Sequence, residues 1–174
     1  MKKSNLYFNP TPETLEELKK QYKQLALKFH PDSPSGDTEA MKEINSLYDK
    51  LFEKLKNIRA NSKGEKYEKQ TAETPEMFKD IISKIINLEG IHIEIIGTFI
   101  WLTGNTRQYK DIFKDLGFKW HNGKTAWYLA PEDYRKRGKN IYTLEEIRSM
   151  FGYQDIENEK NKTKEKARKL SVAT

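Results

Sequence analysis

The tripeptide His30-Pro31-Asp32 is the stretch whose residue types could do specific work in this chain. It sets an imidazole and a carboxylate on either side of a residue that fixes its own φ and disfavours helix in the residue before it. Two uses are open to it by type alone: a polar loop gripped by another protein, or a turn in which His30 and Asp32 merely hold the backbone. Other chemistry is poorly provided for. His30, His92 and His121 fall in different segments without metal-ligand spacing, cysteine is absent, and no phosphate loop, nucleophile elbow or paired-carboxylate pattern occurs. Catalysis, a metal and a cofactor are therefore not expected, and the lack of cysteine suits a reducing compartment.

The segments around the tripeptide must position it. Thr11 or Thr14 can cap a helix, with Pro12 suited to its first turn and Thr14 and Glu17 spaced as a capping box. Leu15, Leu18, Tyr22, Leu25 and Phe29 then recur at steps of three and four, an apolar stripe that stops at His30-Pro31. After the polar loop to Gly36, Asp37 or Thr38 opens a second helix with Met41, Ile44, Leu47, Tyr48, Leu51, Phe52 and Leu55 on one side. Two amphipathic helices on a short connection pack antiparallel and leave the tripeptide at their bend.

The run Tyr22 to Asp32, followed by Gly36-Asp37 and by Met41, Ile44, Tyr48 and Leu51, resembles the core of the J-domain, the DnaJ-type co-chaperone module, over about residues 6–58. The resemblance implies a helical hairpin that docks on a DnaK-type chaperone and stimulates its ATP hydrolysis. It implies that His30, Pro31 and Asp32 form the indispensable loop, and that Lys19, Lys20 and Lys23 form a basic face laid against an acidic surface of the chaperone. At 100° per residue Lys20 and Lys23 fall opposite the Tyr22 stripe with Lys19 near its edge, so all three are expected to be exposed. Glu13, Glu16 and Glu17 in the first turns and the lysines in the later ones also suit the helix dipole without any partner. Tyr22 reads as core. Asn5 to Pro10 is too short and too polar for that family's full first helix, and Arg59 to Lys63 is the only remnant of its last one. No Gly/Phe-rich or cysteine-rich zinc segment follows, so a specialised co-chaperone is implied, its target chosen by the second half.

Residues 59–74 read as a linker, partly helical at most, because their charges balance and little is apolar. Thr74-Pro75 starts a helix with Phe78, Ile81, Ile82, Ile85 and Ile86, ending at Gly90. Ile91, Ile93 and Ile95 alternate with His92 and Glu94, and Phe99 to Leu102 follows Gly97-Thr98, giving two strands on a tight turn. A helix from Asn105 or Thr106 carries Tyr109, Ile112, Phe113 and Leu116 and closes at Gly117. Lys119-Trp120-His121, Asn122-Gly123 and Lys124 to Leu129 predict a hairpin on a two-residue type I′ turn. Thr143 and Glu146 cap a last helix. The fold class is thus α+β: a J-domain-like antiparallel helical hairpin over 1–58, a linker over 59–74, a small helix-β-β-α-β-β-α domain with an antiparallel sheet over 75–152, and a disordered basic tail over 153–174.

A second surface is worth singling out. Gly104 to Tyr128 resembles a short module of phage and mobile-element proteins, which implies nucleic-acid contact. Trp101, Trp120, Trp127, Tyr109 and Tyr128 are interleaved with cations, as single-stranded nucleic acid requires, although strand alternation sends at least one aromatic of each pair to the core. The candidate contacts, to nucleic acid or to a client, are Arg107, Lys110, Lys119, Lys124 and the basic loop Arg135, Lys136, Arg137 and Lys139. The net charge of +6 over 174 residues falls mostly after residue 90, which permits such contact without demanding it. The N-terminal lysines have no apolar run behind them and no stretch suits a membrane, so a soluble cytoplasmic protein is expected. Two functions compete: a J-domain co-chaperone whose partner is a DnaK-type ATPase, with the second half choosing a client or nucleoprotein complex, and a nucleic-acid-binding protein of a mobile element whose hairpin is a relic or decoy.

Overall fold

The computed structural model describes residues 4–132, 134–135 and 141–151. The expected tail, 153–174, lies outside the described residues, as do Lys136, Arg137 and Lys139 of the basic loop. Among the described residues no helix is long and apolar enough to cross a membrane, and no cluster of His, Asp and Glu could hold a metal ion.

Local chemistry places most helix ends. A short helix α1 (Ser4–Tyr7) leads to α2 (Leu15–Phe29), whose cap Thr14 accepts the Glu17 N–H at 3.3 Å. The Glu17 carboxylate reaches back to the Glu13 N–H at 2.7 Å, one residue before the position a capping box would use. Asp37 caps α3 (Thr38–Leu55), accepting the N–H groups of Glu39 and Ala40 at 2.9 and 3.0 Å. Thr74 caps α4 (Pro75–Ile85), with Pro75 in the first turn. Thr143 and Glu146 form a reciprocal capping box at the start of α6 (Leu144–Phe151).

The segment expected to be a linker folds differently. Strands β1 (Ile58–Ala60) and β2 (Lys66–Glu68) pair antiparallel. Asn61 holds their turn, its side-chain oxygen accepting the N–H groups of Lys63 and Glu65 at 2.9 Å each. Neither a helical linker nor a helical remnant at Arg59 to Lys63 is present. The periodic signal was missing because β2 is exposed throughout and has no buried alternation to display.

Strands β3 (Ile91–Ile96), β4 (Phe99–Gly104), β5 (Lys119–His121) and β6 (Ala126–Leu129) form one antiparallel sheet in the order β3-β4-β6-β5. Between β4 and β5 runs a 3₁₀ turn, Thr106–Tyr109, continuing into α5 (Lys110–Asp115). Ile112, expected on its apolar face, is 40% exposed, whereas Phe113 is sealed. The β5–β6 hairpin exists, but its loop has four residues, with His121 opposite Ala126. Asn122–Lys124 makes a 3₁₀ turn and Thr125, not Gly123, takes the left-handed conformation, so the expected type I′ turn is replaced.

Alternation divides the sheet. Ile91, Ile93, Ile95, Ile100, Leu102 and Trp127 share a large apolar core with α2, α3, α4 and α5. Ile96, Phe99, Trp101, Ala126 and Tyr128 face the other way and pack with Leu144 and Ile147 of α6. The large core runs without a break from Phe8 to Trp127, so the helical hairpin and the sheet are not packed as separate units. Burying each of its large apolar side chains contributes about 1.5–3 kcal/mol. That is why a composition lean for one core still suffices.

Candidate functional site

The bend between α2 and α3 is built by its own polar groups. His30 leaves the helix at φ −58°, ψ 136°, with its N–H still bonded to the Ala26 carbonyl at 2.9 Å. The next carbonyls are claimed in turn: the Ser33 hydroxyl donates to Leu27 O at 2.9 Å, the Ser35 hydroxyl to Lys28 O at 3.0 Å, and the Asp37 N–H to Phe29 O at 3.1 Å. Carbonyls that a helix end leaves open are thereby satisfied. Gly36 closes the loop because nothing larger fits. A β-carbon there would lie 2.3 Å from His30 O and 2.8 Å from Pro31 O, both backbone atoms.

Within this frame the Asp32 N–H donates to His30 Nδ1 at 3.3 Å, and Asn87, beyond α4, sends its amide toward the same nitrogen at 3.3 Å and to Asp32 Oδ2 at 3.2 Å. The same nitrogen lies 3.6 Å from Asp32 Oδ2, so the His30, Asp32 and Asn87 side chains converge at the bend. Pro31 and Asp32 are exposed, while the His30 side chain retains 17% of its surface. Sequence reasoning had no means of finding Asn87, which lies 57 positions from His30.

The basic face of α2 departs from expectation. Lys19 and Lys23 are only 5% and 3% exposed. Lys19 is paired with Glu73 and lies 5.1 Å over the Phe78 ring, and the Lys23 ammonium donates to the Ile93 carbonyl of β3. Helical periodicity places Lys23 away from the Tyr22 stripe and Lys19 near its edge. What it omits is that α4, the segment before it and β3 pack against the flank that carries Lys19 and Lys23. Lys20 alone of the three stays half-exposed. Desolvation holds both Lys19 and Lys20 below the ordinary lysine pKa, against the pull of Glu73 on the first and Glu16 on the second. Tyr22 is core as expected: its hydroxyl donates to Asn45 at 2.8 Å and its ring packs on Tyr48 and Phe78.

Residues 8–60 match the DnaJ domain family model. The chain is 46% identical over 56 residues to a chaperone protein DnaJ of Finegoldia magna, a stretch covering 30% of this chain and 15% of that protein. It is 56% identical over 36 residues to the protein SIS1 of Saccharomyces cerevisiae, covering 21% and 10% respectively. A chaperone protein DnaJ of Acetobacter pasteurianus is 50% identical over 46 residues, 25% of this chain and 12% of the relative. The chain thus spans 15% or less of the length of these relatives. No solved structure matches the chain.

The second group of candidates is scattered. Arg107 and Lys110 are exposed on the 3₁₀ turn and α5, an element that packs on the inner sheet face through Phe113 and Trp127. Lys119 and Lys124 belong to the outer-face hairpin, and Lys124 lies 6.0 Å over the Trp101 ring. Arg135 is exposed. Of the tryptophans, Trp101 and Trp127 are buried and Trp120 is 42% exposed, so among the described residues the cations and aromatics form no single continuous stripe.

Proposed function

We propose that the chain is a specialised co-chaperone that docks on a DnaK-type ATPase through His30, Pro31 and Asp32 and stimulates its ATP hydrolysis. The observation that carries this reading is the hydrogen-bonded His-Pro-Asp bend, with Pro31 and Asp32 exposed, within the segment that matches the DnaJ domain. Residues 75–152 would choose the target, and they have a second part in the scheme. Together with Glu73 they cover the α2 face bearing Lys19 and Lys23, so full engagement requires α4, the segment before it and β3 to withdraw from α2. Loop and Lys20 remain available for a first encounter, in which cations steer an anionic partner.

The test is single-turnover ATP hydrolysis by the host's DnaK-type chaperone with the wild type and with His30→Gln. Stimulation by the wild type and its loss in the variant are expected. Absence of stimulation by the wild type, or equal stimulation by both, overturns the proposal and leaves the hairpin as an inactive relic or decoy.

A further inference from the structure

A side chain from the second half of the chain reaches into the bend. Asn87 stands one residue past Ile86, the cap of α4, whose N–H still bonds to the Ile82 carbonyl at 2.9 Å. The Leu88 N–H bonds to the Ile85 carbonyl at 3.2 Å, and Ile82, Ile85 and Ile86 are buried, so the turn is anchored to α4 and travels with it. Strand β3 begins at Ile91, four residues on, and offers the Ile93 carbonyl to Lys23. Asn87 thus lies between the two elements that cover the α2 lysines.

At the bend its amide nitrogen donates to Asp32 Oδ2 at 3.2 Å and lies 3.3 Å from His30 Nδ1. The backbone of the bend does not need this contact, because Ser33, Ser35 and Asp37 close it from within. What the contact adds is a fastening of α4 to the loop. The groups it holds are also the two polar side chains through which the bend would grip a chaperone. A partner that claims the Asp32 carboxylate or the His30 ring competes with Asn87 for the same atoms, and withdrawal of α4 breaks the same contacts.

We infer that Asn87 is a latch between the bend and the cover over Lys19 and Lys23, released when a partner occupies His30 and Asp32. A ligand that binds the unlatched form better shifts the population towards it, so docking at the bend lowers the cost of uncovering the basic face. The partner-driven release rests on the chaperone reading. The latch itself belongs to the free chain and is tested there first.

The full chain is treated with an amine-reactive ester, and peptide mass spectrometry follows the modification of Lys19 and Lys23 against exposed Lys42; their rates report local opening. Asn87→Ala removes the latch from one side, and Asp32→Ala removes its carboxylate from the other. Asn87→Ala should raise both rates about three- to thirtyfold, the loss expected for hydrogen bonds of this kind. Asp32→Ala should raise them in the same direction, and the double variant should match Asn87→Ala within about twofold, because one interaction is lost only once. In single-turnover ATPase assays at limiting concentration, Asn87→Ala should stimulate more than the wild type and Asp32→Ala less, although both are open. Unchanged rates in folded Asn87→Ala, or single effects that multiply in the double variant, overturn the latch. Faster modification of Asn87→Ala with weaker stimulation than the wild type means that Asn87 aligns the bend for docking, and overturns its role as a restraint. Absence of stimulation by the wild type, beside the expected labelling, overturns the chaperone reading and the partner-driven release while the latch stands. If Asn87→Ala does not fold by circular dichroism, Asn87→Asp decides, since it keeps the shape and sets a carboxylate against that of Asp32.

Discussion

Replacing Glu73 by Ala should turn the covered α2 face into a more active one. The Lys19 ammonium, 5% exposed, would keep the Phe78 ring and the distant field of Glu16 but lose its ion-pair partner. A buried charge stripped of its partner costs about 3–5 kcal/mol. The protein can relieve this by neutralising Lys19, already depressed by burial, or by letting α4 and the segment before it leave α2 so that Lys19 meets water. If withdrawal carries the larger share, the open population rises by up to about a hundredfold or more before saturating. The assay is single-turnover ATPase stimulation at limiting co-chaperone concentration, beside a thermal melt. Stimulation should exceed that of the wild type at equal folded concentration, and Glu73→Ala combined with His30→Gln should be inactive. A folded Glu73→Ala protein that stimulates no better than the wild type, while His30→Gln still abolishes the effect, refutes the idea that α4 and β3 restrain docking.

Two further outcomes concern stability. Arg148 grips Glu94 through Nε at 3.0 Å and Nη2 at 2.6 Å, and Glu94 is 2% exposed; Arg148→Met should cost about 3–5 kcal/mol, lowering Tm by roughly 6–20 °C, and adding Glu94→Leu should recover most of it. A single variant as stable as the wild type in urea would contradict this. Burial first, with Asp49 adding for Tyr22 and Glu73 for Tyr48, raises both phenols above the ordinary value of 10.0. Their folded pKa exceeds the unfolded one, so above pH about 10 the unfolded chain holds fewer protons and stability falls by up to about 1.4 kcal/mol per pH unit for each. Urea melts at rising alkaline pH should show that decline, and Tyr22→Phe should lessen its slope.

What could be read from the sequence was what neighbours in the chain decide. Thr14, Asp37, Thr74 and Thr143 cap helices through atoms two to three residues away, and Ile91, Ile93 and Ile95 show their face by simple alternation. The His30 bend was legible for the same reason, since Ser33, Ser35 and Gly36 complete it locally. The fates of Lys19 and Lys23 depend instead on Glu73 and Ile93, 54 and 70 positions on. A helical wheel sees only one helix, and a cation opposite the apolar stripe looks solvated until a second packing partner is known. The β1–β2 hairpin was hidden because its strands are short and its second one wholly exposed.

The Lys23 contact also matters for what the sheet meets when left alone. Strand β3 is paired only with β4, so its free side presents backbone groups in a six-residue run containing four isoleucines. Such an outer strand is a template for joining another chain, and proteins guard it by laying charged side chains or helices along it. Here the Lys23 ammonium takes the Ile93 carbonyl while α2 lies alongside. Separating α2 from β3 would thus bare an aggregation-prone margin together with the basic face. By holding the Ile93 carbonyl, Lys23 helps keep that margin covered.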